Sequence, residues 1–294
     1  MVRVSIPYAR VFVDLEVADQ NLRGILESKA HHVVATEDQD DLVRRALENP
    51  IGSPRLAELA RGKTKIVVVT SDHTRPVPSK TTLPLLLEEI RRGNPAAEIT
   101  ILIATGFHRL TTENEMLKKF GEHIVRHEKI VNHDCRDEAS LVEVGVLPSG
   151  GQLILNRLAM EADLLVAEGF IEPHFFAGFS GGRKSVMPGV ASATTVLANH
   201  CAQFIASDYA RAGVLENNPI HIDMLYAAKK ANLAFILNVV IDADKKIVKA
   251  FAGDAEKAHL DGCAMVAEMS SVAAVPADIV ITSNGGDPLD QNIY

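Results

Sequence analysis

Several residues in this chain combine a reactive side chain with a loop-like setting. Asp72 and Arg75, in D-H-T-R-P at 72–76, put a carboxylate and a guanidinium around a proline-stopped turn, a pairing suited to gripping a carboxylate or phosphate. His108 lies in T-G-F-H-R (105–109) and His174 follows Pro173 in E-G-F-I-E-P-H (168–174). Imidazole titrates near neutral pH, so each suits a general acid or base. Lys184 ends the glycine-rich run G-F-S-G-G-R-K (178–184), whose Gly178, Gly181 and Gly182 let backbone approach a ligand. Phe175, Phe176 and Phe179 are placed to strip water from its ammonium, which would make the amine a nucleophile or a covalent tether. The plainer readings are a capping aspartate, a surface arginine, solvated histidines and an exposed lysine beside a flexible turn.

With Ser185, the same run nearly matches the phosphate loop G-x-x-x-x-G-K-[ST], but Arg183 stands where the second glycine belongs and no strand immediately precedes Gly178. A phosphate-loop kinase or ATPase is therefore one alternative reading, and a non-catalytic ligand-binding module is another. His200, in A-N-H (198–200), lies four residues after Val196 and four before Phe204, on the apolar face of an expected helix. It reads either as a core histidine or as a metal ligand. His31-His32 and His133-Asp134-Cys135 have charged, loop-like neighbourhoods and read as surface residues.

K-I-V-V-V-T-S-D (65–72) is a β-branched strand, and the next segment keeps Leu83, Leu86, Leu87 and Ile90 at helical spacing with Gly93 at the C-cap position. E-I-T-I-L-I-A-T-G (98–106) repeats the plan, with Thr112 and Glu115 spaced as a capping box. Strands over 162–169 and 277–286 and helices over 192–206 and 218–232 continue it. The expected class is α/β: a largely parallel open sheet with helices on both faces. Antiparallel additions are expected at the N-terminal strand pair and at a hairpin over 233–253 turning at Asp242–Lys245. Four strands run into polar loops (71–76, 105–109, 168–174 and 283–288), and loops at the carboxyl ends of such a sheet converge on one site. Residues 1–270 read as one domain and 271–294 as the start of a second.

The chain has 294 residues, a formal charge of -8 and 23% charged residues, which speaks against a basic face for nucleic acid or anionic membranes. Three cysteines lie far apart with no C-x-x-C, suggesting neither disulfides nor a zinc site. Apolar runs fall far short of a membrane helix, and a cytoplasmic protein is expected.

Taken together, D-H-T-R-P, G-F-H-R, the block 168–189, A-N-H and N-G-G-D-P-L-D-Q-N (284–292) resemble the nickel-dependent lactate racemase family over roughly residues 66–294. The resemblance implies a racemase or epimerase of small 2-hydroxy acids. It also implies a nicotinate-derived mononucleotide, the nickel-pincer nucleotide, that carries nickel between sulfur, carbon and sulfur and is built by cofactor-biosynthesis proteins. By the same resemblance Lys184 holds that cofactor as a thioamide, His200 completes the square-planar nickel, and His108 and His174 are the paired acid/base residues. Asp72, Thr74 and Arg75 position cofactor and substrate, Tyr294 lies at the pocket edge, and the backbone at Gly181 and Gly182 meets the cofactor phosphate. The family continues into a second α/β domain that supplies a further lysine, mostly absent here. The resemblance therefore implies that this chain alone is inactive and without cofactor.

Overall fold

β-Branched and leucine-rich segments form the strands of the computed structural model, which describes residues 1–29 and 33–287. In chain order these are β1 (Val2–Tyr8), β2 (Val11–Val17), β3 (Lys65–Ser71), β4 (Glu98–Ala104), β5 (Lys129–Asn132) and β6 (Leu141–Val146). There follow β7 (Gln152–Asn156), β8 (Leu164–Phe170), the two-residue β9 (Pro173–His174) and β10 (Gly178–Phe179), β11 (Leu233–Ile241) and β12 (Ile247–Gly253). Six of them make one sheet in the order β12-β11-β8-β3-β4-β5, parallel throughout except for the antiparallel edge pair β11–β12. The expected α/β class and both antiparallel hairpins are present; β1–β2 forms a separate sheet.

Strand alternation sends side chains to two cores. Ile66, Val68, Ile101 and Ile103 pack beneath the helices Gln39–Glu48 and Ser79–Gly93. Val67, Val69, Leu102 and Leu165 pack on the other face, with Ile220 and Met224 of the helix Pro219–Lys230. From β3 the chain moves outward through β4 to β5, then returns to β3's other side with β8. The strand order thus reverses between β3 and β8, and the crevice outside their carboxyl ends is where an open α/β sheet binds ligands. Among the described residues no helix is long and apolar enough to cross a membrane.

The local readings need four corrections. Gly93 is the last helical residue and Asn94 the cap. A Cβ at Gly93 would lie 1.8 Å from the Ala57 carbonyl oxygen, so glycine is needed for close backbone approach. The expected helix over 192–206 breaks into Ala193–Asn199 and Ala202–Ile205, with His200 as the C-cap of the first. Residues 277–286 form no strand, and Ile279 and Val280 are 79% and 78% exposed, because no neighbouring strand pairs with them. His133 and Cys135, read as surface residues, are buried: His133 bonds the Ala191 carbonyl and Asn156.

Gly93→Ala is expected to destabilise the protein by about 1–3 kcal/mol, the usual overpacking cost, although alanine is the better helix former. Urea denaturation showing Gly93→Ala equal to or more stable than the parent would contradict that account.

Candidate active site

Three of the four expected loops meet at the β3/β8 crevice, around a cavity of about 650 Å³. Its lining includes Asp72, Arg75, His108, His174, Gly181, Lys184 and His200. The fourth loop lies elsewhere: the Asp287 amide donates to the Ala9 carbonyl at 2.8 Å, against the N-terminal hairpin. Thr74 and Gly182 do not line the cavity, and Tyr294 is outside the described residues.

Asp72 leaves β3 as a buried carboxylate. His108 Nδ1 lies 2.7 Å from its Oδ2, and Thr74 donates to its Oδ1 from Oγ1 at 2.7 Å and from the amide at 3.1 Å. Burial alone would raise the Asp72 carboxyl, but the hydrogen bonds from His108 and Thr74 outweigh it and hold the group below its ordinary value. Facing a carboxylate, His108 Nδ1 carries the proton, which leaves Nε2 with its lone pair. Arg75 Nη1 donates to Thr74 Oγ1 at 2.9 Å, so Thr74 joins the guanidinium to Asp72.

His174 is held differently. It pairs with Gly178 in the small β9–β10 hairpin, and the Ala177 amide donates to its Nδ1 at 3.3 Å. A backbone N–H can only donate, so the neutral ring carries its proton on Nε2. Phe175 stacks on the ring at 4.9 Å and Phe176 meets it edge-on at 4.6 Å. Burial, then the charges of Lys184 and Arg75, push His174 far below the ordinary imidazole value.

Phe176 also meets the ring of His200 at 5.0 Å, and Lys184 Nζ lies 5.9 Å from the Phe176 centroid. His200 is lowered to about 4 by burial and by Lys184, so it is neutral at neutral pH. Its Nδ1 is buried without a hydrogen-bond partner among the described residues. The Lys184 amine is held well below its ordinary value by burial first, then by Arg183 and Arg75, with Glu172 opposing. Glu172 is itself pushed up to about 7 by burial, against the pull of Arg75, Lys184 and Lys245.

The turn Gly182–Ser185 is one 3₁₀ turn that no long helix follows, unlike a phosphate loop. The Gly182 amide is spent on Asn238 Oδ1 at 2.8 Å and is not free for a phosphate. Gly181 must be glycine: its φ is +74°, and a Cβ would lie 2.7 Å from Asn238 Oδ1 and 2.9 Å from the Phe170 carbonyl oxygen. Sequence reading missed Glu168, Glu172 and Lys119. Glu168 lines the cavity, and Lys119 donates to the Arg75 carbonyl at 2.9 Å. Glu168 stood inside a motif already quoted, whereas nothing local marks Lys119.

The family model described as the lactate racemase N-terminal domain matches residues 8–213, and that of the lactate racemase C-terminal domain matches residues 272–294. The chain belongs to the lactate racemase family. A curated lactate racemase of Thermoanaerobacterium thermosaccharolyticum is 63% identical over all of this chain, and one of Lactiplantibacillus plantarum is 54% identical over the same span. In both cases the chain covers 69% of the relative's length. The solved lactate racemase apoprotein from T. thermosaccharolyticum superposes on it with a TM-score of 0.93, covering all of this chain and 69% of that one. Membership of the lactate racemase family makes this an isomerase and retires the phosphate-loop and binding-module readings.

Because the Asp72 carboxyl is lowered, folding favours its ionised form. That stabilisation is complete above the unfolded value of about 3.9 and is lost as pH falls through the lower folded value. Asp72→Asn should therefore flatten the acid limb of the unfolding free energy below about pH 4. An unchanged acid limb would show that the His108 and Thr74 contacts do not hold the carboxylate.

Proposed function

We propose that this protein racemises lactate or a closely related small 2-hydroxy acid, with a nickel-pincer nucleotide held covalently by Lys184 and bound through nickel by His200. The observation that carries the reading is two histidines on one cavity, held in opposite neutral tautomers. His108 presents a free Nε2 lone pair, and His174 presents an Nε2–H. A substrate whose hydroxyl proton must leave on one hand and return on the other needs a proton-handling group on each side.

The residues present fit the proposed cofactor. Its volume puts the cavity within the usual range for small-molecule sites. The unpartnered His200 Nδ1 and the desolvated Lys184 amine both belong to its wall. His200 would offer the nickel an imidazole donor, and the Lys184 amine would hold the nucleotide. The bound group supplies the position that takes hydride from the substrate carbon and returns it to either face.

The chain's own residues do the rest. Among the described residues the Arg75 side chain is engaged only through Nη1, by Thr74, which leaves its guanidinium able to hold the substrate carboxylate. His108 Nε2 accepts the hydroxyl proton, and the Asp72 carboxylate stabilises the imidazolium that forms. His174 serves the opposite hand: as an imidazolium it would give one proton to the oxygen and be left neutral, and in the reverse direction the neutral ring would take that proton back. Phe175 and Phe176 keep water from this exchange. Tyr294, beyond the described residues, is assigned to the substrate side and Gly181 to the cofactor side, whereas Gly182, off the cavity and with its amide spent on Asn238, is not given a cofactor contact. Residues 271–294 are read as the first part of a second domain. The working setting is the cytoplasm, with cofactor-biosynthesis proteins as partners.

In cofactor-loaded protein, His108→Ala and His174→Ala should each lower racemisation by at least about a hundredfold in both directions, the scale of a lost acid or base. A single variant that kept normal rates both ways would remove that histidine from the chemistry. Lys184→Ala should abolish a covalent mass adduct without unfolding the protein, while His200→Ala keeps the adduct and loses nickel on dialysis. An adduct mapped to another peptide would refute the tether assignment.

A further inference from the structure

Arg183 is among the largest side chains buried in this fold, at 2% exposure, and the proposed chemistry makes no direct use of it. It holds the position at which a phosphate loop would need glycine, and its contacts supply a different reason for the residue. Nη2 donates to the Ala177 carbonyl at 2.7 Å, Nη1 to the Gly181 and Ser180 carbonyls at 3.2 and 3.4 Å, and Nε to His221 Nδ1 at 3.0 Å. His259 closes the cage, with Nε2 at 2.8 Å from the Ser180 carbonyl oxygen and 3.1 Å from Arg183 Nη1. Among the described residues no carboxylate pairs with it. Burial lowers the guanidinium only to about 10, so it remains a cation at neutral pH.

A buried cation without an anionic partner costs stability, and the carbonyl contacts offset part of that cost. What distinguishes this cation is its place, next to Lys184 in sequence and beneath the turn from which that lysine emerges. We propose that Arg183 is a positioning residue for Lys184: its fork fixes the turn from Ala177 to Gly181, and its permanent charge stands beside the amine. The inference rests on reading Lys184 as the cofactor tether and adds what prepares it. The Lys184 amide donates to the Gly181 carbonyl at 3.1 Å, one of the oxygens the fork also holds, so displacement of the turn displaces the lysine. Lysine at 183 could keep the charge but not the fork.

The groups that act on the Lys184 amine come from every element around it. Arg183 and Arg75 disfavour its ammonium form and Glu172 favours it, while His174 and His200 share the cavity and are pushed toward neutrality by Lys184. Burial is the largest influence and Arg183 the next. A desolvated lysine beside a second cation is a recognised way to obtain a nucleophilic amine at neutral pH.

The test is acetylation of the cofactor-free chain with acetic anhydride across pH, followed at Lys184 and Lys119 by peptide mass spectrometry. The unprotonated Nζ attacks an anhydride carbonyl carbon and the N–C bond forms. The C–O bond to the departing acetate then breaks with its electron pair, and the amine proton passes to buffer. Lys119, lowered to about 8 and outside the clamp, reports any general loosening. Parent Lys184 should react with a midpoint well below 10.5. Arg183→Lys should keep that midpoint but lower the limiting rate about tenfold through lost placement. Arg183→Gln should also raise the midpoint by about one pH unit. His221→Ala removes one arm of the cage and leaves the charge, so it should slow the limiting rate at an unchanged midpoint. If Arg183→Gln does not fold, Arg183→Lys and His221→Ala decide the matter. Parent rates and midpoints in both, or an equal change at Lys119, would overturn the proposal. Failure of the tether reading would show separately, as a loaded protein whose adduct does not map to Lys184.

Discussion

A single buried carboxylate fastens together the three elements on which the cavity stands. Glu168, at the carboxyl end of β8, accepts hydroxyl protons from Thr70 at the end of β3 at 2.5 Å and from Ser79 at 2.6 Å, and also from Thr82. Ser79 and Thr82 lie in the first turns of the helix Ser79–Gly93, where the aligned backbone dipoles favour a negative charge. Buried without such donors, Glu168 would pay the full cost of desolvation. The loop bearing Asp72 and Arg75 leaves β3 two residues after Thr70, and the loop bearing His174 leaves β8 just after Glu168. Two of the three loops that build the site therefore start from one clamp, at the point where strand order reverses.

Charge balance inside the cavity follows from which partners those loops bring. Asp72 is committed to His108 and Thr74, and Glu168 to three hydroxyls, so neither carboxylate is spent on the Lys184 amine. Burial, Arg75 and the buried Arg183 then act together on Lys184 and His174, and all three favour the uncharged amine and the uncharged imidazole. Among the described residues Glu172 is the group that opposes this at Lys184, and burial raises its own carboxyl to about 7, which weakens the opposition near neutral pH. A nucleophilic amine needs to be uncharged, so on the proposed reading this electrostatic arrangement prepares Lys184 for its role.

The parts of the fold that were legible in the sequence are those set by local rules. Alternating β-branched runs located the strands, and Thr112 and Glu115 form the expected capping box. The turn at Asp242–Lys245 is closed by the Asp242 side chain, which accepts from the amides of Asp244 and Lys246. Convergence of the site loops was legible too, because the carboxyl-end rule depends only on strand direction. What could not be read depends on long-range approach. Gly93 looks like a cap until Ala57 lies against it, and His133 looks solvated until Ala191 and Asn156 enclose it. The helix that stops at His200 could not be foreseen from spacing, since the apolar face through Val196 and Phe204 continues in sequence past the break. Arg183 is the sharpest case: its motif position suggested a failed phosphate loop, and only His221 and His259, 38 and 76 residues away, show what it holds.

The difference between the two histidines is a matter of what each Nδ1 meets. A carboxylate can only accept, so Asp72 fixes the proton of His108 on Nδ1 and leaves the lone pair on Nε2; a backbone amide can only donate, so Ala177 fixes the lone pair of His174 on Nδ1 and puts the proton on Nε2. The distinction rests on backbone placement more than on residue type, because the Ala177 amide reaches His174 only where the β9–β10 hairpin turns sharply at Gly178, whose φ is +80°. The same turn carries the Ala177 carbonyl that Arg183 grips. One short hairpin thus sets the protonation of His174 on its cavity side and anchors the approach to Lys184 on its buried side. On the proposed roles, loosening it would disturb proton transfer and cofactor attachment together, although His174 and Lys184 are ten residues apart and share no hydrogen bond.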